Sequence, residues 1–471
     1  MNAVRVPADV HRLPVLDVAG LLARRAISSV ELTEHMLARI ASRDFDLHAY
    51  FAVTAESAAA EARAADVEIA AGRYRGALHG VPIAVKDLCD VAGVPTTAGT
   101  RVMASRVPDR DSTVVARLRA AGAVLLGKLA MTEGAYAEHH PDYAVPVNPW
   151  NPTAWTGVSS SGSGVATAAG LCFASLGSDT GGSIRFPSAM NGLVGIKPTY
   201  GRVPVTGTFP MGPSLDHVGP MCRSVADAAS VLLTIAGHDD ADPTSSRVPV
   251  HDYVAAAGEA SSGTAGLRIG VDRRLLTDLD AEICAKFEAA LRTLASLGGT
   301  IVDVDLPAVA AELSDRWIVT CGAEMLVGHA ALFPARADDY GAALRMALEL
   351  SQAMPASEYA KTHLLRQCFS GELERLFAEV DVFACPTIGI PAPAGLSVLD
   401  PTVAQLMGKL MRFTAPFNYS GSPTISLPCG LRADGVPASL QLVGRHFEEA
   451  TLIRAAAAYE AGRGPFPLPS V

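Results

Sequence analysis

A helical stretch that runs almost directly into a short buried strand is the pattern that most constrains this chain, and it recurs. Residues 111–128 read "DSTVVARLRAAGAVLLGK": an Asp or Ser cap, a helix, Gly122 as its stop, then an apolar strand. A helix over about 279–297 ends at Gly298-Gly299 before "TIVDVDL", and another over about 359–378 precedes "VDVFACPT". Apolar strands of this kind need cover on both sides, and the intervening helices supply it. The expected class is α/β, with helices on both faces of a sheet.

The N-terminal part is helical by the same rules. In "SSVELTEHMLARIA" (28–41), Ser28 and Glu31 form a capping box, and Leu32, Met36 and Ile40 repeat at helical spacing. An Ala-rich helix over 55–71 stops at Gly72, and "VPIAV" (81–85) is a buried strand that carries Lys86 and Asp87 at its end. The polar, small-residue stretch 238–264 resembles a linker and is expected to be a surface excursion. No internal repeat is evident. The expected organisation is one domain over 1–471, with N-terminal helices at about 14–72, a core at about 79–235 and a C-terminal part at about 265–462.

Composition narrows the function classes. With 49% hydrophobic and 18% charged residues, 471 residues suit a compact enzyme and not an extended disordered chain. A net charge of −10, with no basic run, disfavours nucleic acid as a partner. The eight cysteines include no C-x-x-C pair, which points to free thiols and to no zinc site. The start, "MNAVRVPADVHRLP", lacks the apolar run of a signal peptide, and no stretch is apolar enough to cross a bilayer. A cytoplasmic location is expected.

Two segments ask for a chemical explanation. "GSDTGGSIRFP" (177–187) sets two glycines directly before a serine. Such a pair either makes a tight turn or clears space so that backbone amides can face a reacting group, with Ser183 as nucleophile. "GVSSSGSG" (157–164) is either a flexible Ser/Gly loop or a partner of the first segment, since a small-residue helix and a strand lead from it back to Ser183. A base is then needed. His139-His140 is tempting, but adjacent side chains point apart and loop histidines are common. The elbow G-x-S-x-G is absent, and none of the six lysines lies three residues after a serine. Lys86 remains, either an ordinary surface lysine paired with Asp87 or a desolvated amine able to act as a general base.

At this point the residues resemble a family. "GVSSSGSG" and "SLGSDTGGSIRFPSAMNGLVGIKPTYGRV", with "LHGVPIAVKDL" before and "SLDHVGPMCRSVADAA" after, are similar to the amidase signature hydrolases. That group runs from aryl acylamidases and fatty acid amide hydrolase to the A-type subunits of amidotransferases. "CPTIGIPAP" and "GSPTISLPCGLRADGVPASLQLVGRHFEEATLI" extend the resemblance, which covers about 15–460. It implies a mixed central sheet and a triad of Ser183 as nucleophile, Ser159 as bridging serine after a cis peptide, and Lys86 as base. It also implies an oxyanion hole of Thr180, Gly181 and Gly182, with Asp179 and Arg185 supporting that loop. No metal or organic cofactor is implied.

Some positions depart from the family pattern. Val158 and Ser161 stand where glycines are usual, and Leu129-Ala130 where Thr-Asn is usual. The segments expected around the site supply Met131, Tyr136, Tyr143, Phe209 and Met211 but no Arg or Lys. Apolar or aryl amides, with carbamates (urethanes) and esters, are therefore the expected small-molecule substrates. The competing expectation is an amidotransferase A-type subunit working inside a complex. A monomer or homodimer is expected of the stand-alone enzyme.

Overall fold

The computed structural model describes residues 6–392 and 394–471. Its frame is one mixed sheet of eleven strands: β1 (Tyr50–Val53), β2 (Pro82–Lys86), β3 (Val124–Leu129), β4 (Ser175–Asp179), β5 (Val194–Lys197), β6 (His217–Cys222), β7 (Arg268–Val271), β8 (Thr300–Asp303), β9 (Val382–Pro386), β10 (Thr424–Leu431) and β11 (Pro437–Gly444). Their spatial order is β1-β3-β2-β4-β6-β5-β10-β11-β9-β7-β8. Parallel pairs join β3, β2 and β4 on one side and β9, β7 and β8 on the other. The middle, from β4 through β6, β5, β10 and β11 to β9, is antiparallel. Every residue of β2, β3, β4 and β9 is buried, so both faces of the sheet are covered.

Local signals in the sequence correspond to observed elements. Ser28 caps the helix Ser29–Leu47 in a full capping box with Glu31. The three helix–strand units appear as Thr113–Ala120 with β3, Ala281–Ser296 with β8, and Ala356–Glu379 with β9. Two expectations need correcting. Ser112 stands at the N-cap of the first of these helices without a capping bond, and the Asp111 carboxylate is held by Arg119 instead. The 238–264 stretch is not only a surface excursion. It contains the helix Tyr253–Gly258, capped by Asp252, and Tyr253 is fully buried with its hydroxyl 3.3 Å from Glu449.

The sheet topology places the chemistry. β2 and β4 are adjacent and parallel, with Val85 opposite Leu176. Their carboxyl ends therefore emerge side by side, which is where open α/β sheets usually hold their ligands. Lys86 ends one strand and Ser178-Asp179 ends the other.

Candidate active site

Lys86 is not a surface lysine. It is fully buried, and its Nζ lies 2.7 Å from Ser159 Oγ and 2.9 Å from Ser178 Oγ. Asp87, the alternative partner, pairs instead with Lys128 at 2.9 Å and accepts from Thr97. Burial lowers the Lys86 amine from 10.5 to about 7, against the opposing pull of Cys89, Asp179 and Asp216. Near neutral pH much of this amine is uncharged and free to accept a proton.

The serine-rich loop is buried and held by hydrogen bonds. Ser159, Ser160, Ser161 and Ser163 are all buried. Ser160 Oγ both donates to the Ser178 carbonyl and accepts from the Ser178 amide, each at 3.2 Å. Ser163 Oγ donates to the Leu176 carbonyl at 2.9 Å. The serines thus stitch the start of the helix Ser161–Ala168 onto β4. Gly162 lies so close to the preceding chain that a Cβ there would meet the Ala49 oxygen at 2.4 Å. The Val158–Ser159 peptide is cis, as the resemblance implies.

From Ser159 to Asn191 every residue is buried except Ser183. The two glycines before it have separate reasons. A Cβ on Gly181 would meet Trp317 Nε1 at 2.6 Å and Met411 Cε at 2.8 Å. Gly182 has φ +138°, and a Cβ on it would strike the Phe186 ring at 2.5 Å. Not all of these amides are left open, which corrects the expectation for Gly182. Its N–H donates to Asp179 Oδ1 at 2.8 Å and is spent inside the loop. The Thr180, Gly181 and Ser183 amides have no partner among the described residues.

Beneath this loop lies a buried charge pair. Arg185 grips both carboxylate oxygens of Asp179, at 3.0 Å through Nε and 2.9 Å through Nη2. Its remaining donors go to Asn418, Gln441 and the Thr414 carbonyl. Burial alone would raise the Asp179 carboxyl, but the charge and hydrogen bonds of Arg185, with Lys197 and Asn418, hold it well below the usual carboxylate range. The carboxylate in turn accepts from the Gly182 and Ile184 amides and so sets the loop's shape.

The pocket candidates divide. Tyr136 is brought to the loop: its ring lies parallel to Trp317, with centroids 6.5 Å apart, and Trp317 Nε1 donates to the Thr180 carbonyl at 3.0 Å. Met131 is buried in the chain segment that backs the serine loop, where the Thr132 amide donates to the Ser159 carbonyl. Phe209 is half-buried and packs edge-on against His329. Tyr143 turns to Phe51 and His140, and Met211 lies in the core. Residues missed in the sequence are Ser178, Trp317, Met411, Thr414, Asn418 and Gln441. Ser178 had a signal, since it directly precedes the Asp179 motif at the end of the strand beside Lys86. Among the described residues, no three His, Cys, Asp or Glu side chains gather as metal ligands, and no helix is long and apolar enough to cross a membrane.

Known proteins resemble this chain over nearly its whole length. The family model described as Amidase covers residues 31–453. The "Putative amidase AmiD" of Mycobacterium tuberculosis is 47% identical over 460 residues, which is 97% of this chain and 95% of that protein. The A-type subunit of the glutamyl-tRNA(Gln) amidotransferase from Anaeromyxobacter sp. (strain K) is 42% identical over 98% of both chains. The solved structure of native peptide amidase from Stenotrophomonas maltophilia superposes with a TM-score of 0.84 at 30% identity, covering 98% of this chain and 99% of that one.

Proposed function

The chain belongs to the amidase signature family of amide hydrolases, and we propose that it cleaves neutral apolar or aryl amides through an acyl-enzyme on Ser183. Neutral Lys86 takes the Ser159 hydroxyl proton while Ser159 takes that of Ser183, and Ser183 Oγ bonds to the substrate carbonyl carbon. The resulting oxyanion is met by the Thr180, Gly181 and Ser183 amides, and preorganised donors of this kind are worth about 3–4 kcal/mol each. The C–N bond breaks as the relay passes its proton to the departing nitrogen. Water then attacks the ester under the same relay and releases the acid.

The observation that carries this reading is the buried Lys86 amine, lowered to about 7 and bonded to Ser159. The substrate class rests on the walls. Tyr136, Trp317 and Met411 present apolar and aromatic surface near the loop. Arg185, the nearby cation, has its donors engaged by Asp179, Asn418, Gln441 and Thr414, so it offers no fork to a substrate carboxylate. An aryl carbamate or ester presents the same electrophilic carbon and falls within the same chemistry. The test compares kcat/KM for an anilide, an aryl carbamate and a free-acid amide such as malonamate. The anilide and carbamate should lead, and a faster free acid would refute the class.

A second reading, an amidotransferase A-type subunit, is favoured by the 42% identity to such a protein over nearly the whole chain. Size exclusion of the purified chain with an ammonia-release assay separates the two. Turnover by a monomer or homodimer alone supports the hydrolase, and a requirement for a partner supports the amidotransferase reading.

A further inference from the structure

Two oddities of the sequence, a histidine pair in a loop and a serine where the family carries glycine, meet in the fold. His139 Nε2 lies 2.8 Å from Ser161 Oγ. Ser161 is fully buried, opens the helix Ser161–Ala168, and stands two residues after Ser159. The same two segments are laced by backbone as well. The Thr132 amide donates to the Ser159 carbonyl at 3.2 Å, and the Gly162 amide to the Ala130 carbonyl at 2.9 Å. These two bonds fix the loop where it passes the 130–132 stretch. The His139–Ser161 bond adds a side-chain tie from that segment to the helix start.

We propose that His139 is a positioning residue for the bridging serine. Through Ser161 it holds the first turn of the helix, and so aims the Ser159 hydroxyl at Lys86. The proposal rests on the reading of Lys86, Ser159 and Ser183 as the reacting set. Among the described residues the His139 ring bonds to Ser161 and to no reacting atom, so it acts through the loop. Burial, and then the charge of Lys86, lower its imidazole to about 4, so at neutral pH the ring is uncharged and adds no cation beside the base. His140 is turned away: its Nδ1 accepts from the Asp142 amide at 3.1 Å, and its ring packs on Tyr143. One histidine of the pair thus serves the loop and the other the surface turn.

The test measures kcat and KM on one amide at neutral pH for wild type, His139→Phe, His139→Gln, Ser161→Ala and the double variant His139→Phe/Ser161→Ala. Ser183→Ala runs alongside, with thermal midpoints for all. Phenylalanine keeps the ring without its nitrogens. His139→Phe should lower kcat about tenfold and leave KM within about twofold, the size expected for one lost buried hydrogen bond. Ser161→Ala should lose a similar factor, and the double variant no more than either single, because both remove the same bond. His139→Gln, whose amide reaches the same oxygen, should recover most of the loss. Wild-type kcat in His139→Phe, a loss confined to KM, multiplying losses in the double variant, or no rescue by glutamine would each overturn the proposal. If His139→Phe fails to fold, Ser161→Ala against His139→Gln decides: a kcat loss in the first and near wild-type kcat in the second supports it, and any other pattern refutes it. Retained activity in Ser183→Ala would instead sink the assignment of the reacting set.

Discussion

Replacing Lys86 by methionine tests the buried amine through both stability and rate. The amine falls from 10.5 to about 7 on folding because burial opposes its charge. That difference of about 3.5 units corresponds to about 5 kcal/mol. Between those two values the unfolded chain binds the proton and the native one does not, so this group makes stability rise with pH. Below about pH 7 both states are protonated, and the native state carries the whole cost of a desolvated charge. Lys86→Met removes that cost but leaves Ser159 and Ser178 without their shared partner, a loss of about 1–3 kcal/mol. The variant should therefore be more stable by about 2–4 kcal/mol near pH 6, with the gap closing towards pH 10. Thermal midpoints of both proteins across that range read the effect. Activity moves the other way. The neutral fraction of an amine with a pKa of about 7 rises about tenfold between pH 6 and pH 8, and wild-type kcat/KM should follow it. Lys86→Met should be nearly inactive and lack that step. A flat wild-type profile, or a stability gap between variant and wild type no larger at pH 6 than at pH 10, would refute the reasoning.

Ser183→Ala should reduce turnover below a few per cent with an unchanged thermal midpoint, and higher activity in a clean preparation would end the nucleophile assignment. Asp179→Asn strands the Arg185 charge in the interior, so its midpoint should fall by the equivalent of about 3–5 kcal/mol; an unchanged midpoint would show that the pair is dispensable. Gly181→Ala puts a methyl 2.6 Å from Trp317 Nε1 and 2.8 Å from Met411 Cε, so both walls must shift. KM for an anilide should rise several-fold, and an unchanged KM would show that these side chains do not line the substrate's path.

What the sequence by itself determined is local or lies within one continuous motif. The capping box of Ser28 and Glu31, the glycine stops and the apolar strands follow from rules that act over a few residues, and the observed elements agree with them. Ser183 stood out in a Gly-Gly-Ser stretch that a plain turn would not need, Lys86 was the base left once other patterns were absent, and Ser159 came from the resemblance to the amidase signature hydrolases. Tertiary structure decided the rest. Whether Lys86 was solvated or buried depended on a strand 91 residues further along the chain, and Ser178, 92 residues away, became its partner only through that pairing. Asn418 and Gln441 reach Arg185 from 233 and 256 residues away, and nothing near either one marks it. The Gly182 amide looked available in the motif but is consumed by Asp179 three residues before it, because the loop curls around its own carboxylate. His139 and Ser161 stand 22 positions apart, and nothing in the sequence links them until the chain folds them together. Short-range preferences are written in neighbouring side chains, whereas burial, proton affinity and hydrogen-bond partners belong to whatever distant chain the sheet brings alongside.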